Sequence, residues 1–290
     1  MDDFCIFILS HGRSDNVVTY KTLEKAGYTG KIIIVIDDED DSADDYYELF
    51  DDVEMFDKKE IAKTFDEADN FNDRRSPVYA RNACFEIAEK RGFKYFVQMD
   101  DDYSGFEYRV YRADRQKPSV INNLDAVLEA FLIFFKKTNF MSIAMAQGGD
   151  FIGGKNNKMA KKPTIYRKCM NSFFCSTERP FAFVGVLNDD VNTYISRGSR
   201  GQLFGTIPMV ALIQNQTQKT SGGITEKYLD QGTYVKSFYT VLFAPSSCTV
   251  RMMGNTNKRL HHSISWNNAV PKIVSETHNK TPCKHRGRRL

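Results

Sequence analysis

Apolar positions in the first third of the chain fall alternately into short unbroken runs and into helical spacing. The run Phe4-Cys5-Ile6-Phe7-Ile8-Leu9 predicts a buried strand. After it, Asp15 or Asn16 caps a predicted helix that carries Leu23, Glu24 and Lys25 and stops at Gly27. Lys31-Ile32-Ile33-Ile34-Val35-Ile36 is a continuous β-branched run of the sort that parallel sheets bury on both faces. A helix follows over residues 77–91, with Pro77 near its first turn and Gly92 just past its end. It leads into the apolar strand Lys94-Tyr95-Phe96-Val97-Gln98-Met99. This alternation predicts a Rossmann-type α/β half with right-handed crossovers.

The rest of the chain is less regular. Residues 123–137 have helical apolar spacing, and Met141-Ser142-Ile143-Ala144-Met145-Ala146 reads as a strand. Gly148-Gly149-Asp150-Phe151-Ile152-Gly153-Gly154 opens a long loop, a class of segment more often functional than structural. Residues 181–187, Phe-Ala-Phe-Val-Gly-Val-Leu, predict another strand; residues 192–206 are turn-rich, and residues 235–243 predict a last strand. No internal repeat is present.

What these runs end in is chemically specific. The strand at 94–99 closes on Asp100-Asp101-Asp102. A buried strand ending in Asp-x-Asp sets two carboxylates at the carboxyl edge of a sheet, where α/β proteins place ligands. Asp100 and Asp102 would repel each other unless a cation lay between them, and hard oxygen ligands suit Mg²⁺ or Mn²⁺, which grip nucleotide phosphates. An acidic triplet is also an ordinary solvated turn, so the neighbours matter. A second run ends at Asp37-Asp38, a third at Asn188-Asp189-Asp190, and Arg81-Asn82 lies on the helix that precedes the triplet.

Charge adds a partner class. The net charge of +3 conceals an asymmetry: twelve acids and no Lys or Arg between Ile36 and Asp57, against nine Lys or Arg and one acid from residue 251 to 290. A second basic stretch over 155–168 holds six Lys or Arg and no acid. Patches of this kind suit a polyanion, and Lys155, Lys158, Lys161, Lys162 and Arg167 are candidate DNA phosphate contacts. Cys5, Cys84, Cys169, Cys175, Cys248 and Cys283 are scattered without a Cys-x-x-Cys pair, so zinc and a disulfide framework are not expected. No apolar stretch approaches the roughly 18 residues of a membrane span. The start, Met1-Asp2-Asp3-Phe4, lacks a basic leader, and a cytoplasmic protein is expected.

The order of these parts resembles the GT-A class of nucleotide-sugar glycosyltransferases. A narrower resemblance is to the phage and eukaryotic glycosyltransferases associated with modified DNA bases, the group that includes base J glucosyltransferase and TET-associated enzymes. It is carried by Ser10-His11-Gly12-Arg13, Ser76-Pro77-Val78-Tyr79-Ala80-Arg81-Asn82, the Asp triplet, Leu187-Asn188-Asp189-Asp190-Val191-Asn192-Thr193 and His261-His262-Ser263-Ile264-Ser265-Trp266. The resemblance implies a GT-A-like α/β fold in a single domain over 1–290. Within it, 1–105 would bind the nucleotide sugar, 106–250 would hold the acceptor and the catalytic groups, and 251–290 would be a basic C-terminal segment.

The resemblance also implies roles. Asp37 or Asp38 would meet the base or ribose, with Ser10, His11, Arg13, Arg81, Asp100 and Asp101 on the donor. Asp100 and Asp102 would hold Mn²⁺ or Mg²⁺, completed by a late histidine, His261 or, preferentially, His262. Asp189 or Asp190 would be the general base, although Asp there also suits a helix N-cap. Trp266 is either a base-stacking platform or a core residue. The implied reaction moves a hexose or pentose from a UDP-sugar to the hydroxyl of 5-hydroxymethylcytosine or 5-hydroxymethyluracil in DNA. Three readings compete. One is a protein or glycan acceptor, and another is a metal-dependent nucleotidyltransferase, for which Ser10-His11-Gly12-Arg13 is a poor phosphate loop. The third is a DNA-binding module without catalysis.

Overall fold

The computed structural model describes residues 2–68, 72–112, 115–151, 157, 162–168, 171–214, 224–254 and 258–273. In chain order the strands are β1 (Phe4–Leu9), β2 (Lys31–Asp37), β3 (Val53–Phe56), β4 (Tyr95–Asp100), β5 (Tyr103–Arg112), β6 (Arg115–Val120), β7 (Phe140–Ala146), β8 (Ser172–Ser176) and β9 (Leu203–Gln214). Among the described residues these form one mixed sheet in the order β3-β2-β1-β4-β8-β7-β9-β5-β6. A separate hairpin pairs β10 (Cys248–Met253) with β11 (Arg259–Ile264). The helices are α1 (Val18–Lys25), α2 (Ala43–Leu49), α3 (Lys58–Ala62), α4 (Val78–Lys90), α5 (Leu124–Lys137), α6 (Asp189–Gly198), α7 (Ile224–Phe243) and α8 (Trp266–Ala269).

The expected α/β half is present. β3, β2, β1 and β4 run parallel, and Leu9 pairs with both Val35 and Asp100, so these strands finish at one edge. Successive residues of β1 serve opposite cores, which explains its unbroken apolar run. Cys5, Phe7 and Leu9 pack with Tyr79, Ala83 and Ile87 of α4; Phe4, Ile6 and Ile8 pack with Leu128, Phe131 and Phe135 of α5. Pro77 precedes α4, and Gly92 follows it at φ +78°, as the breaker residues predict. Asn123 caps α5 by accepting from the Ala126 N–H at 3.1 Å. The cap foreseen at Asp15 or Asn16 is instead a short 3-10 turn over Ser14–Asn16, and α1 starts after Val17.

Two predicted strands are absent. Residues 181–187 are buried but form no ladder, because side chains and loops answer their backbone groups. Asn82 on α4 donates to the Phe183 carbonyl at 3.1 Å and accepts from its N–H at 2.8 Å. The Gly185 N–H reaches the Asp66 carbonyl at 2.7 Å, with Gly185 at φ +79°. An apolar run that finds partners this way needs no neighbouring strand. Residues 235–243 form the second part of α7, which kinks at Gly232 (φ 72°), and they bury Ser237, Tyr239 and Thr240. Residues 192–206, expected to be turns, supply most of α6 and the start of β9. Among the described residues no helix is long and apolar enough to cross a membrane.

Candidate active site

The shared edge of β1, β2 and β4 collects the predicted acids around the loop Ser10–Arg13. Ser10 Oγ donates to Asp101 Oδ2 at 2.8 Å, which leaves the Tyr46 hydroxyl, also 2.8 Å away, to donate to Ser10. Arg13 Nη1 meets Asp101 Oδ1 at 2.9 Å, and the Gly12 N–H donates to Asp40 at 2.7 Å. Asp37 lies between Lys58 Nζ and His11 Nδ1, both at 2.9 Å. Burial opposes its ionisation, but His11 and Lys58 outweigh burial and hold the carboxyl below its usual range; His11 is raised in turn, chiefly by that hydrogen bond. Asp38 accepts the Lys58 N–H at 2.8 Å and ties the end of β2 to α3.

The triplet divides by partner. Asp101 is turned into the Ser10–Arg13 loop, whereas Asp102 accepts from Gln214 Nε2 at 3.0 and 3.2 Å. Gln214 Oε1 is itself held by Asn171 Nδ2 at 2.8 Å and Gln147 Nε2 at 3.3 Å, so neutral amides orient Asp102. Asp100 faces Arg81, whose Nη2 lies 3.2 Å from Oδ1. Arg81 is 3% exposed and sits against the rings of Phe173 and Phe183, 5.0 and 5.8 Å away, and Gln98 Nε2 donates to its carbonyl at 2.8 Å. Its Nε also lies 2.9 Å from Asp189 Oδ2, although the N–H does not point at that oxygen, so this contact is a charge pairing rather than a hydrogen bond. One guanidinium therefore joins the acid that ends β4 to the acid that opens α6, 89 residues apart in sequence (189 − 100).

Burial pushes Asp100 up to about 7; Arg81 opposes this, and Asp102, Asp101 and Asp189 add to it. Burial likewise pushes Asp189 up to about 6, against Arg81 and with Asp190. The edge thus carries more negative charge than Arg81 and Arg13 neutralise.

Residues 4–223 match the family model described as TET-Associated Glycosyltransferase. That span holds the loop, the triplet, Arg81 and the Asp189–Asp190 pair. The chain belongs to the TET-associated glycosyltransferase family. It is accordingly a glycosyltransferase, built on a mixed-sheet α/β fold. No curated protein is similar to it in sequence. Glucosyl-3-phosphoglycerate synthase from Mycobacterium tuberculosis, solved with Mn²⁺, UDP and phosphoglyceric acid, superposes with a TM-score of 0.47 at 8% identity, over 90% of this chain and 86% of that one. The mannosyltransferase PcManGT from Pyrobaculum calidifontis, solved with GDP-Man and Mn²⁺, gives 0.46 at 12%, over 83% and 64%. S. aureus TarS gives 0.43 at 11%, over 75% and 37%. Likenesses this remote say nothing of donor, metal or acceptor.

Not every expected group of this TET-associated glycosyltransferase gathers at that edge. His262 lies on β11, past the matched span, and the charges acting on it are Lys168, His261 and Lys236. Asp100 and Asp102 fit a metal cation: excess negative charge surrounds them, and Mg²⁺-type sites need only one or two protein carboxylates when phosphates supply the rest. That is compatible with the lack, among the described residues, of three His, Cys, Asp or Glu side chains close enough to form a complete shell.

Arg167 pairs with the buried Asp150 and is itself partly exposed. Lys162 is exposed. Lys155, Lys158 and Lys161 lie outside the described residues, as do residues 274–290 of the basic tail. Trp266 stacks on Tyr194 at 5.7 Å and 7° and belongs to the core. Lys58, Tyr46 and Gln214 are site residues that the sequence does not signal. Lys58 shows only as the residue after a capping Asp57, and Gln214 only as the end of an apolar run.

A stability test follows from the raised carboxyls. A carboxyl raised in the folded state favours folding below its unfolded pKa of about 3.9, and that contribution is lost as pH climbs through the folded value. For the protein without metal, stability should therefore fall as pH rises through about 6 for Asp189 and about 7 for Asp100. A divalent cation with a nucleoside diphosphate, Mn²⁺ with UDP in the test, would reverse that loss by binding at these carboxyls. At a ligand excess of about 100 Kd the gain is about 2.7 kcal/mol, which raises Tm by about 5–10 °C near pH 8, and thermal melts near pH 5 should show less than half of that shift.

Proposed function

We propose that this glycosyltransferase moves a hexose or pentose from a UDP-sugar to the hydroxyl of a hydroxymethylated pyrimidine, 5-hydroxymethylcytosine first, in double-stranded DNA. The observation that carries the reading is the polarity of the site. Asp100 to Asp102 form an acidic edge that Arg81 and Arg13 only partly compensate on the donor side, and Lys236, with Lys168 and Arg259 near it, brings positive charge to Asp189 and Asp190 on the acceptor side. Mg²⁺ or Mn²⁺ held by Asp100 and Asp102 would supply electrostatic stabilisation to the departing diphosphate.

The chain's own groups do the rest. His11, half-exposed and fixed by Asp37, offers its ring where base and ribose would lie. Asp101 is buried and spent on Ser10 and Arg13, and it shapes the loop that meets the donor. Asp189 is 5% exposed and turned to Arg81, so Asp190, half-buried beside it, is the carboxylate that takes the acceptor's proton in an inverting transfer. The family's association with modified bases and the basic segments support a DNA acceptor. About four phosphate contacts would lower transfer to hydroxymethylcytosine duplex by about 10²-fold between about 50 and 200 mM salt, with UDP affinity little changed. Transfer to DNA that ignores salt would contradict the acceptor assignment, and transfer to a protein or glycan alone would replace it.

A further inference from the structure

The family match stops at residue 223, and the chain after it builds a feature that the donor side does not use. Helix α7 lies between the β10–β11 hairpin and the start of α6. Ser237 Oγ donates to the Leu260 carbonyl of β11 at 2.8 Å. On its other side Asn188 Nδ2 donates to the Lys236 carbonyl at 2.8 Å and to Thr240 Oγ1 at 3.2 Å. Lys236 is thereby held between His261 and the Asp189–Asp190 pair. Lys168 arrives from another part of the chain, anchored where the Thr206 hydroxyl of β9 donates to its carbonyl. Arg259 opens β11.

These cations crowd one another. Lys236 feels Asp190 and Asp189 but also Lys168 and Arg259, and burial with the two cations outweighs the acids. Burial, then Lys168, Arg259 and Lys236, push His261 down to about 4, and burial with Lys168 and Lys236 pushes His262 to about 3, so both imidazoles are neutral near pH 7 and each has one N–H to give. The two rings meet edge to face, 4.3 Å apart. His262 is 6% exposed, and among the described residues neither of its ring nitrogens has a hydrogen-bond partner. Buried polar groups are ordinarily satisfied, and one on which Lys168 and Lys236 bear is complementary to an anion.

We propose that His262, Lys236, Lys168 and Arg259 form an acceptor-side phosphate subsite that receives a backbone phosphodiester of the DNA beside the target nucleotide. The inference rests on the DNA acceptor argued above. A donor diphosphate has the same chemistry, but the cluster adjoins Asp190, whereas the charges acting on Asp100 are Arg81, Asp102, Asp101 and Asp189. A phosphate held here fixes the register of the strand while Asp190 meets the hydroxymethyl group, as backbone contacts do generally.

The test is binding of a fluorescent hydroxymethylcytosine duplex by anisotropy across a KCl series, with UDP affinity in Mn²⁺ measured by calorimetry on the same proteins. Arg259→Ala removes an exposed side chain, and Lys236→Gln is the second variant. Each should weaken duplex binding by about 5–10-fold and reduce the slope of log K against log salt by about 0.9, with UDP affinity unchanged. A loss of UDP affinity with duplex binding intact assigns the cluster to the donor diphosphate and overturns the proposal. Unchanged values for both ligands remove the subsite altogether while the DNA reading survives. A wild-type protein that neither binds the duplex nor glycosylates it brings down that reading and this inference together.

Discussion

Asp100→Asn is expected to lower sugar transfer by about 10³-fold while leaving the melting temperature of the metal-free protein unchanged or higher. The amide keeps the shape of the carboxyl and removes its charge. An amide would hold a divalent cation far more weakly, so the departing diphosphate would lose the cation that stabilises its growing negative charge. Folding gains from the same change, because the native carboxyl is pushed up to about 7 by burial and by Asp102, Asp101 and Asp189. Arg81 loses one partner but retains Asp189. Kinetics with saturating donor and melts near pH 8 separate the two effects. A variant that melts much lower would show that Asp100 serves the fold first, and one that keeps full activity and metal response would remove it from the donor site.

Arg81→Ala should cost both stability and activity. It strips the counter-ion from two buried acids at once, and breaking a buried ion pair costs about 3–5 kcal/mol. For a chain of this size that lowers Tm by about 10 °C. Asp100 and Asp189 would then favour protonation, which leaves neither able to work as an anion. Arg81→Lys is expected to recover part of the stability and little activity, because a point charge cannot serve Nη2–Asp100 and Nε–Asp189 together or lie flat against Phe173 and Phe183. A melt within about 2 °C of wild type for Arg81→Ala would mean that the buried ions are compensated elsewhere.

The first half of the fold was legible because its strands are buried on both faces, so β1 and β2 read as apolar runs and β4 is broken only by Gln98. Helices α4 and α5 carry their own start and stop residues in Pro77, Gly92 and Asn123. The triplet was legible for a related reason, since a strand end fixes where the acids must lie. Residues 181–187 misled because apolar composition reports burial and not backbone pairing; the Asn82 side chain that replaces a ladder lies 101 residues from Phe183. Residues 235–243 misled because β-branched and aromatic content suggested a strand, while α7 is fixed by packing of Tyr239 and Thr240. Lys58 and Gln214 were hidden for the same reason as Asn82. Gln214 reaches Asp102 across 112 residues, and nothing local to either marks the contact. His262 was visible as a histidine, but Lys168 and Lys236 reach it from two distant segments, and nothing local to any of the three marks that neighbourhood.

The central claim is sugar transfer to modified DNA, and the direct measurement is mass spectrometry of nucleosides after incubation with Mn²⁺, a panel of UDP-sugars and duplex DNA containing 5-hydroxymethylcytosine. The account expects one donor to add a hexose or pentose mass to hydroxymethylcytidine, with none added to unmodified cytidine and none when Asp100→Asn replaces the wild type. No mass gain with any donor, or an equal gain for Asp100→Asn, would contradict it.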